Sequence, residues 1–223
     1  MTLPIHPPFP PMEAKSVKEI PEGKDWLYEP KWDGFRCLVF RKGDQVLLQS
    51  KAGQPLGRYF PELVDGIRAL RPQQFVLDGE IVIFIDGQPS FDDLLMRIHP
   101  AASRVRKLSQ ETPASLLAFD LLVDERGRSL VEKPQVERRE ALEEFFKGLG
   151  IGPAEGRRSH YALQLSPSAR DRAQALRWMK ELAGSGFDGV IAKPAGMLYA
   201  SGERAMQKVK KIRTADCVVG GFR

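Results

Sequence analysis

The stretch RCLVFRKGDQVLLQS (36–50) decides the fold class, because two apolar segments lie on either side of a Gly-Asp pair at 43–44. Apolar, β-branched runs that are separated by a glycine-containing turn are typical of a β-hairpin. The stretch QFVLDGEIVIFIDGQPS (74–90) has the same character. We interpret it as an apolar strand, a break at the Asp-Gly pair 78–79, a second apolar strand and another turn at the Asp-Gly pair 86–87. Hairpins of this kind indicate antiparallel sheets.

Further strands and several helices follow from the hydrophobic pattern. ASLLAFDLLVDERGRSL (114–130) is expected to be a buried strand that ends in a turn at Asp124 to Gly127. Three more strands are expected in FDGVIAKP (187–194), AMQKVKK (205–211) and ADCVVGGF (215–222). Helices are expected at 61–70, at 90–99 with Ser90 as N-cap, at 135–150 closed by Gly148 or Gly150, and at 168–186 capped by Ser168 and stopped by Gly184.

These elements predict an α+β protein with mostly antiparallel sheets, because hairpins dominate and no regular βαβ alternation occurs. Residues 1–25 are rich in proline and are expected to form an extended arm outside the core. Residues 26–223 are then expected to form one domain. Because the chain stops directly after CVVGGFR, within an expected strand and turn, we expect it to be a fragment of a longer protein.

Composition narrows the class of protein. The chain has 223 residues, a formal net charge of +5, two cysteines and three histidines. Neither a disulfide framework nor a Cys/His zinc site is expected from so few residues, and no run is long and apolar enough to span a bilayer. No secretory signal is recognisable, and with so few cysteines a reducing cytosol is expected. The chain is also expected to be a monomer. Basic clusters at 96–107 and 202–213 favour a polyanionic partner, although such clusters are also common on solvated surfaces.

Lys31 is a candidate nucleophile within YEPKWDGFR (28–36). A lysine attacks an electrophile only after its amine has lost a proton, which burial or nearby cations favour. Lys193, Lys208 and Lys210 could supply such cations, and the spacing of the last two places both on one face of a strand. These groups could also hold a phosphate. The alternative is that each lysine lies on a separate exposed surface.

Acidic and aromatic residues add candidate ligands. LDGE supplies Asp78 and Glu80, and FDGV supplies Asp188. Glu80 and Asp188 suit Mg²⁺ best, because this ion prefers one or two carboxylates together with phosphate oxygens and water. Both stretches could instead be ordinary Asp-Gly turns. Phe119 could stack on a base, or it could be a core aromatic residue.

The order of the short motifs is more specific than any one of them. KWDGFR, SKAG, LDGE, AFD, FDGVIAK and KVKK follow one another along the chain. This order resembles the motifs of the covalent nucleotidyltransferase superfamily, which includes DNA ligases, RNA ligases and mRNA capping enzymes. Its lysine motif, K-x-D-G-x-R, is met by Lys31, Asp33, Gly34 and Arg36. Within the superfamily, EPKWDGFR, FPEL, LDGE and GERAMQKVKKIRTADCVVGGFR are most similar to small bacterial C-type, ATP-dependent DNA ligases.

The resemblance implies an adenylation domain of two packed antiparallel sheets with flanking helices and a nucleotide cleft, in an ATP-grasp-like arrangement. It implies ATP and Mg²⁺ (or Mn²⁺) as cofactors and nicked double-stranded DNA as the partner. It also implies a following OB-fold domain, which this chain would lack, so that weak nick sealing is expected. The implied site residues are Lys31 as nucleophile; Glu29, Phe119 and Arg36 toward adenine and ribose; Lys51, Lys193, Lys208 and Lys210 toward phosphates; and Glu80 and Asp188 toward the metal or the ribose.

Three residues depart from the usual family pattern. Asp188 stands where relatives usually have glutamate, Lys51 where many have arginine, and Met206 where many have tryptophan. An RNA ligase or a GTP-using capping-type enzyme would share the same chemistry and remains an alternative. So does a basic nucleic-acid-binding module without catalysis. An NAD-dependent ligase fits less well, because the N-terminal arm is short.

Overall fold

A computed structural model describes residues 3–151, 162–181 and 187–210. The strands in this part of the chain are β1 (Ala14–Ser16), β2 (Trp26–Trp32), β3 (Phe35–Lys42), β4 (Gln45–Ser50), β5 (Gln74–Ile85), β6 (Gln88–Pro89), β7 (Ala114–Val123), β8 (Leu163–Leu165), β9 (Phe187–Pro194) and β10 (Met206–Lys210). The helices are α1 (Pro61–Arg68), α2 (Phe91–Leu95), α3 (Ala102–Glu111), α4 (Gln135–Leu149) and α5 (Arg172–Glu181). No helix within these ranges is long and apolar enough to cross a membrane.

The strands form two sheets. The smaller sheet has the order β1-β10-β9-β2, and the larger has the order β4-β3-β5-β7-β8 with β6 paired to β5. Only the pairs β1–β10 and β7–β8 are parallel among the described strands. The predicted α+β class with mostly antiparallel sheets is therefore confirmed.

Helices cover the outer faces of both sheets. On the larger sheet, Leu63 and Ile67 of α1 and Phe146 of α4 belong to the main apolar core. On the smaller sheet, α5 packs Ala175 and Trp178 into a second cluster with the strands.

Strand alternation sets which residues face the space between the sheets. Tyr28 of β2 packs beneath α5, so its neighbours Glu29 and Lys31 lie on the opposite face. Where the two sheets meet, Trp32 of the smaller sheet packs with Val82 and Leu117 of the larger one. The sheets therefore converge next to Lys31 and leave a cleft beside it.

Most predicted elements are confirmed, including the hairpin β3–β4 and the helix N-cap at Ser90, whose side chain accepts a hydrogen bond from the Asp93 amide. Gly150 rather than Gly148 ends α4, with a left-handed backbone (φ 72°). The predicted cap at Ser168 is wrong, because α5 begins at Arg172 and the Asp171 carboxylate accepts from the Ala173 amide. The predicted stop at Gly184 and the strand at 215–222 lie outside the described residues.

The predicted break at Asp78-Gly79 is also wrong. The strand β5 runs without interruption through both residues, with a shift of register against β7 at this point. Asp78 stays in the strand because Arg36 and Tyr199 bind its carboxylate. Position 79 requires glycine, because a Cβ there would lie 2.7 Å from the Leu117 carbonyl oxygen. The predicted turn at the second Asp-Gly pair, 86–87, is confirmed, and both of its residues have positive φ.

The N-terminal segment does not lie outside the core, which corrects the expectation for residues 1–25. Leu3, Ile5 and Met12 are buried in an apolar cluster with residues of both sheets. Ala14 to Ser16 form β1 and add a strand to the edge of β10. The segment is extended, as expected, but its apolar side chains supply part of the core.

Candidate active site

The cleft between the sheets has a volume of about 220 Å³ and gathers residues from distant parts of the chain. Its wall includes eight of the ten predicted site residues: Glu29, Lys31, Arg36, Lys51, Glu80, Phe119, Lys193 and Lys208. The other two, Asp188 and Lys210, do not line it but are joined to it through Lys31. The order of motifs in the sequence therefore corresponds to one site in space.

Lys31 is held by an acid that it shares with a second lysine. In the smaller sheet, Lys31 and Lys210 lie on either side of Gly189 in register. The Lys31 Nζ is 2.7 Å from Asp188 Oδ1, and the Lys210 Nζ is 2.7 Å from Asp188 Oδ2. Burial alone would raise the pKa of Asp188, but the two ammonium groups outweigh it and lower the pKa below its ordinary value. Asp188 is therefore an anion at neutral pH that bridges the two amines.

A second ion pair closes the other end of the cleft. The Lys193 Nζ lies 2.8 Å from Glu29 Oε2, and both side chains are almost fully buried. Lys193 also donates to the Phe119 carbonyl at 3.3 Å and lies 4.7 Å from the centre of the Phe119 ring. Arg139 of α4 approaches the other Glu29 oxygen at 3.8 Å. Lys193 is thus placed with Glu29 and Phe119, the two residues that the resemblance directed toward adenine.

Arg36 is fixed by a buried network. Its guanidinium donates to both oxygens of Asp78, at 2.5 and 2.6 Å, and to the Met12 carbonyl at 3.1 Å. Burial would lower the pKa of Arg36, but the charge of Asp78 outweighs it and raises the pKa. The Tyr199 hydroxyl donates to Asp78 at 2.6 Å and accepts from the Met12 amide at 3.0 Å. The guanidinium therefore has one fixed position, 4.6 Å from the centre of the Phe119 ring.

Glu80 lies opposite Arg36 in the pairing of β3 with β5. Burial raises its pKa to about 7, although the charges of Arg36 and Lys31 act in the opposite direction. The glycine of the lysine motif permits this packing, because a Cβ on Gly34 would lie 2.2 Å from the Ile81 carbonyl oxygen and 3.0 Å from the Glu80 Cγ. The lysine motif therefore requires glycine at position 34, because the backbone there lies close to strand β5.

Lys51 and Lys208 complete the cationic part of the wall. Lys51 is mostly exposed and pairs with Glu13 at 2.8 Å. Burial and the nearby charges of Lys210 and Lys31 lower the pKa of Lys208.

Sequence reasoning missed two parts of the site. The N-terminal residues 11–14 form one wall of the cleft, and Trp32 forms another part of it. Asp78 and Tyr199 set the position of Arg36 from behind the wall. The sequence signal for the N-terminal wall was the presence of apolar residues among the N-terminal prolines, because a solvent-exposed arm would not bury such side chains.

The two predicted metal ligands, Glu80 and Asp188, differ in position: Glu80 lines the cleft, whereas Asp188 is joined to it through Lys31. Within residues 3–151, 162–181 and 187–210, no group of three or more Asp, Glu, His or Cys side chains could hold a metal ion alone. Glu80 offers a carboxylate whose pKa is raised by burial, despite the nearby charges of Arg36 and Lys31. Carboxylates supplemented by phosphate oxygens and water are the ligand set that Mg²⁺ prefers.

A lysine in a cleft between two mostly antiparallel sheets, surrounded by acids and further lysines, is the arrangement expected of a nucleotidyltransferase domain of the covalent type. Residues 11–210 match the model of the ATP dependent DNA ligase domain, and the chain belongs to that family.

Named relatives agree with this family. The chain is 49% identical to DNA ligase C of Mycobacterium tuberculosis and 46% identical to DNA ligase C2 of Mycolicibacterium smegmatis, and both matches cover all of this chain. It spans only 60% and 59% of the length of these two relatives. Among solved structures, mycobacterial DNA ligase D complexed with ATP and MES has a TM-score of 0.69 at 26% identity, with 91% of this chain and 60% of that chain covered.

Proposed function

We propose that the chain carries out the adenylation step of an ATP-dependent DNA ligase, with Lys31 as the nucleophile. The Lys31 Nζ attacks the α-phosphorus of ATP, the bond from this phosphorus to the pyrophosphate oxygen breaks, and the amine loses a proton. Lysyl-AMP and pyrophosphate are the products. The observation that carries the proposal is the convergence on one cleft of Lys31 and the Glu29–Lys193 pair, with Asp188 and Lys210 joined to the cleft through Lys31.

The buried end of the cleft suits adenine. Glu29 offers carboxylate oxygens that can accept from the exocyclic amine of the base, and the neighbouring Phe119 ring offers a surface for stacking. The ion pair with Lys193 fixes the direction of the Glu29 side chain. Arg36, held by Asp78, can donate its remaining N–H groups to the ribose or to a phosphate.

The other end of the cleft suits the triphosphate. Lys51, Lys208 and Lys210 can neutralise the negative charge that builds on the phosphate oxygens in the transition state. Before the nucleotide enters, Asp188 compensates Lys31 and Lys210. Phosphate oxygens can replace Asp188 as the partner of these amines, which frees its carboxylate.

Glu80 and the freed Asp188 would hold Mg²⁺ or Mn²⁺. When bound, the ion supplies Lewis-acid stabilisation of phosphate charge. The shorter side chain of Asp188, compared with the glutamate usual in relatives, suits the present arrangement because it reaches both amines at 2.7 Å.

The later steps need DNA. We propose that AMP passes from Lys31 to the 5′-phosphate of a nick and that the 3′-hydroxyl then displaces it, as the names of the relatives suggest. The proposal assigns adenylation to a domain formed by residues 26–223 together with the N-terminal segment, acting as a monomer. Since the relatives are considerably longer, the 223 residues alone are expected to seal nicks slowly.

Intact-mass spectrometry tests the proposal. After incubation with ATP and Mg²⁺, the wild type should gain the mass of one AMP, Lys31→Ala should gain none, and the control Lys107→Ala on the exposed surface of α3 should behave as the wild type. Incubation with GTP should leave all three unchanged. Adduct formation by Lys31→Ala would refute the assignment of the nucleophile, and a GMP adduct would favour a capping-type enzyme.

A further inference from the structure

Glu13 places a negative charge in the wall of a cleft that is otherwise suited to phosphate. It lines the cavity together with Lys51 and Lys208, which the proposed function directs toward phosphates. An acid at this position would repel the substrate's triphosphate. Its presence therefore needs a physical explanation.

The backbone holds Glu13 firmly in this wall. The Glu13 amide donates to the Glu203 carbonyl at 2.7 Å, and the Met206 amide donates to the Glu13 carbonyl at 3.1 Å. The next residue, Ala14, begins the strand that pairs with β10. The preceding residue, Met12, is buried and bound through its amide to Tyr199. The carboxylate is therefore presented from a fixed strand rather than from a loose arm.

The Glu13 carboxylate is surrounded by cations. One of its oxygens lies 2.8 Å from the Lys51 Nζ and 3.9 Å from the Arg204 Nε. The hydrogen bond from Lys51 and the charges of Lys51, Arg204 and Lys208 lower the pKa of Glu13 despite its partial burial. Glu13 is therefore ionised at neutral pH and pairs with Lys51, which the proposed function directs toward phosphates, and with the adjacent Arg204.

We propose that Glu13 is an internal competitor for phosphate at Lys51 and Arg204, and that it weakens the binding of free pyrophosphate and so favours its release. This inference rests on the nucleotide cleft of the proposed function. ATP tolerates the competition because its base and ribose are held at the other end of the cleft. Free pyrophosphate has no such second attachment, so the loss of Lys51 and Arg204 as partners leaves it with little residual affinity, whereas ATP stays bound.

Calorimetric titration of pyrophosphate into the unadenylated chain tests the inference, with the absence of AMP verified by intact mass. Glu13→Gln should bind pyrophosphate about threefold to tenfold more tightly than the wild type, because each partly exposed ion pair is worth up to about a factor of five. Glu13→Asp keeps the charge and should bind as the wild type does. Glu203→Gln makes the same change of net charge on an exposed neighbouring side chain and should also leave the affinity unchanged.

Adenylation assays give a second readout. Pyrophosphate should inhibit lysyl-AMP formation by Glu13→Gln at a correspondingly lower concentration, whereas the KM for ATP should change less than the pyrophosphate affinity. Unchanged or weaker pyrophosphate binding by Glu13→Gln would overturn the inference, and so would equal tightening by Glu203→Gln. Because the titration contains no nucleotide, its outcome is separate from the intact-mass test of Lys31, so failure of the two proposals can be told apart.

Discussion

Replacing Glu80 by glutamine should make the protein more stable at pH 8 while it abolishes or strongly slows adenylation. The carboxyl group of Glu80 has a pKa of about 7 in the folded protein, compared with an ordinary value of about 4.5, because burial disfavours its charged form. The folded protein therefore binds more protons at this site than the unfolded chain between about pH 4.5 and pH 7. The free energy of unfolding must fall as the pH rises through this window.

The size of the effect follows from the pKa difference. Each unit corresponds to about 1.4 kcal/mol, so ionised Glu80 costs the folded state at most about 3 kcal/mol above pH 7. Residual solvent contact of Glu80 in the cleft reduces this cost, so we expect ionised Glu80 to destabilise the folded state by about 1–3 kcal/mol. Glutamine has the same shape and no charge, so Glu80→Gln should gain this amount at pH 8 and almost nothing at pH 5. For a chain of this size the gain corresponds to a rise in Tm of about 2–10 °C.

Urea denaturation of both proteins at pH 5, 6, 7 and 8 measures the difference directly. Glu125→Gln, at an exposed position in the turn after β7, serves as the control and should change stability by no more than about 0.5 kcal/mol at any pH. Adding Mg²⁺ together with a non-hydrolysable ATP analogue at pH 8 should stabilise the wild type more than Glu80→Gln. A stability difference that does not vary with pH, or a Glu80→Gln protein that is less stable than the wild type at pH 8, would refute the reasoning.

Two further substitutions test the groups around Lys31 and Arg36. Asp188→Asn removes the negative charge that Lys31 and Lys210 share, and because these ion pairs are only partly exposed it should slow adenylation about tenfold. It should also raise the Mg²⁺ concentration that gives the half-maximal rate. An unchanged Mg²⁺ requirement would exclude Asp188 as a metal ligand. Tyr199→Phe deprives Asp78 of a buried donor and should cost about 1–3 kcal/mol in urea denaturation. It should also raise the KM for ATP more than it lowers kcat, whereas an unchanged KM would show that the hydroxyl has no part in placing Arg36.

Local chemistry in the sequence was sufficient to predict much of the fold. The hairpin β3–β4 and the N-cap at Ser90 depend on neighbouring residues, and both are confirmed. The break at Asp78 could not be judged locally, because its partners Arg36 and Tyr199 are 42 and 121 residues away. An Asp-Gly pair is a turn signal only while its side chain has no distant partner. Tertiary contacts therefore override the local preference at this position.

The candidate site was predictable as a set of residues but not as a set of contacts. The order of the motifs in the sequence was sufficient to predict which residues lie in or next to the cleft, because the motifs supply different chemical groups of the same site. It could not show that Asp188 lies between two amines or that Lys193 pairs with Glu29. Such partners depend on strand register, which is fixed by packing across both sheets. The burial of Met12 was missed for the same reason.

The ion pairs of the cleft indicate which carboxylate an added cation would stabilise most. Lys31 pairs with Asp188, Lys51 with Glu13, and each of these two acids has a lowered pKa because its charge is well compensated. Glu80 has a raised pKa, so among these three acids it alone lacks sufficient positive charge. A triphosphate entering the cleft would take the lysines as partners and leave carboxylates uncompensated. Binding of the nucleotide and binding of a divalent cation should therefore be coupled, with each strengthening the other through Glu80.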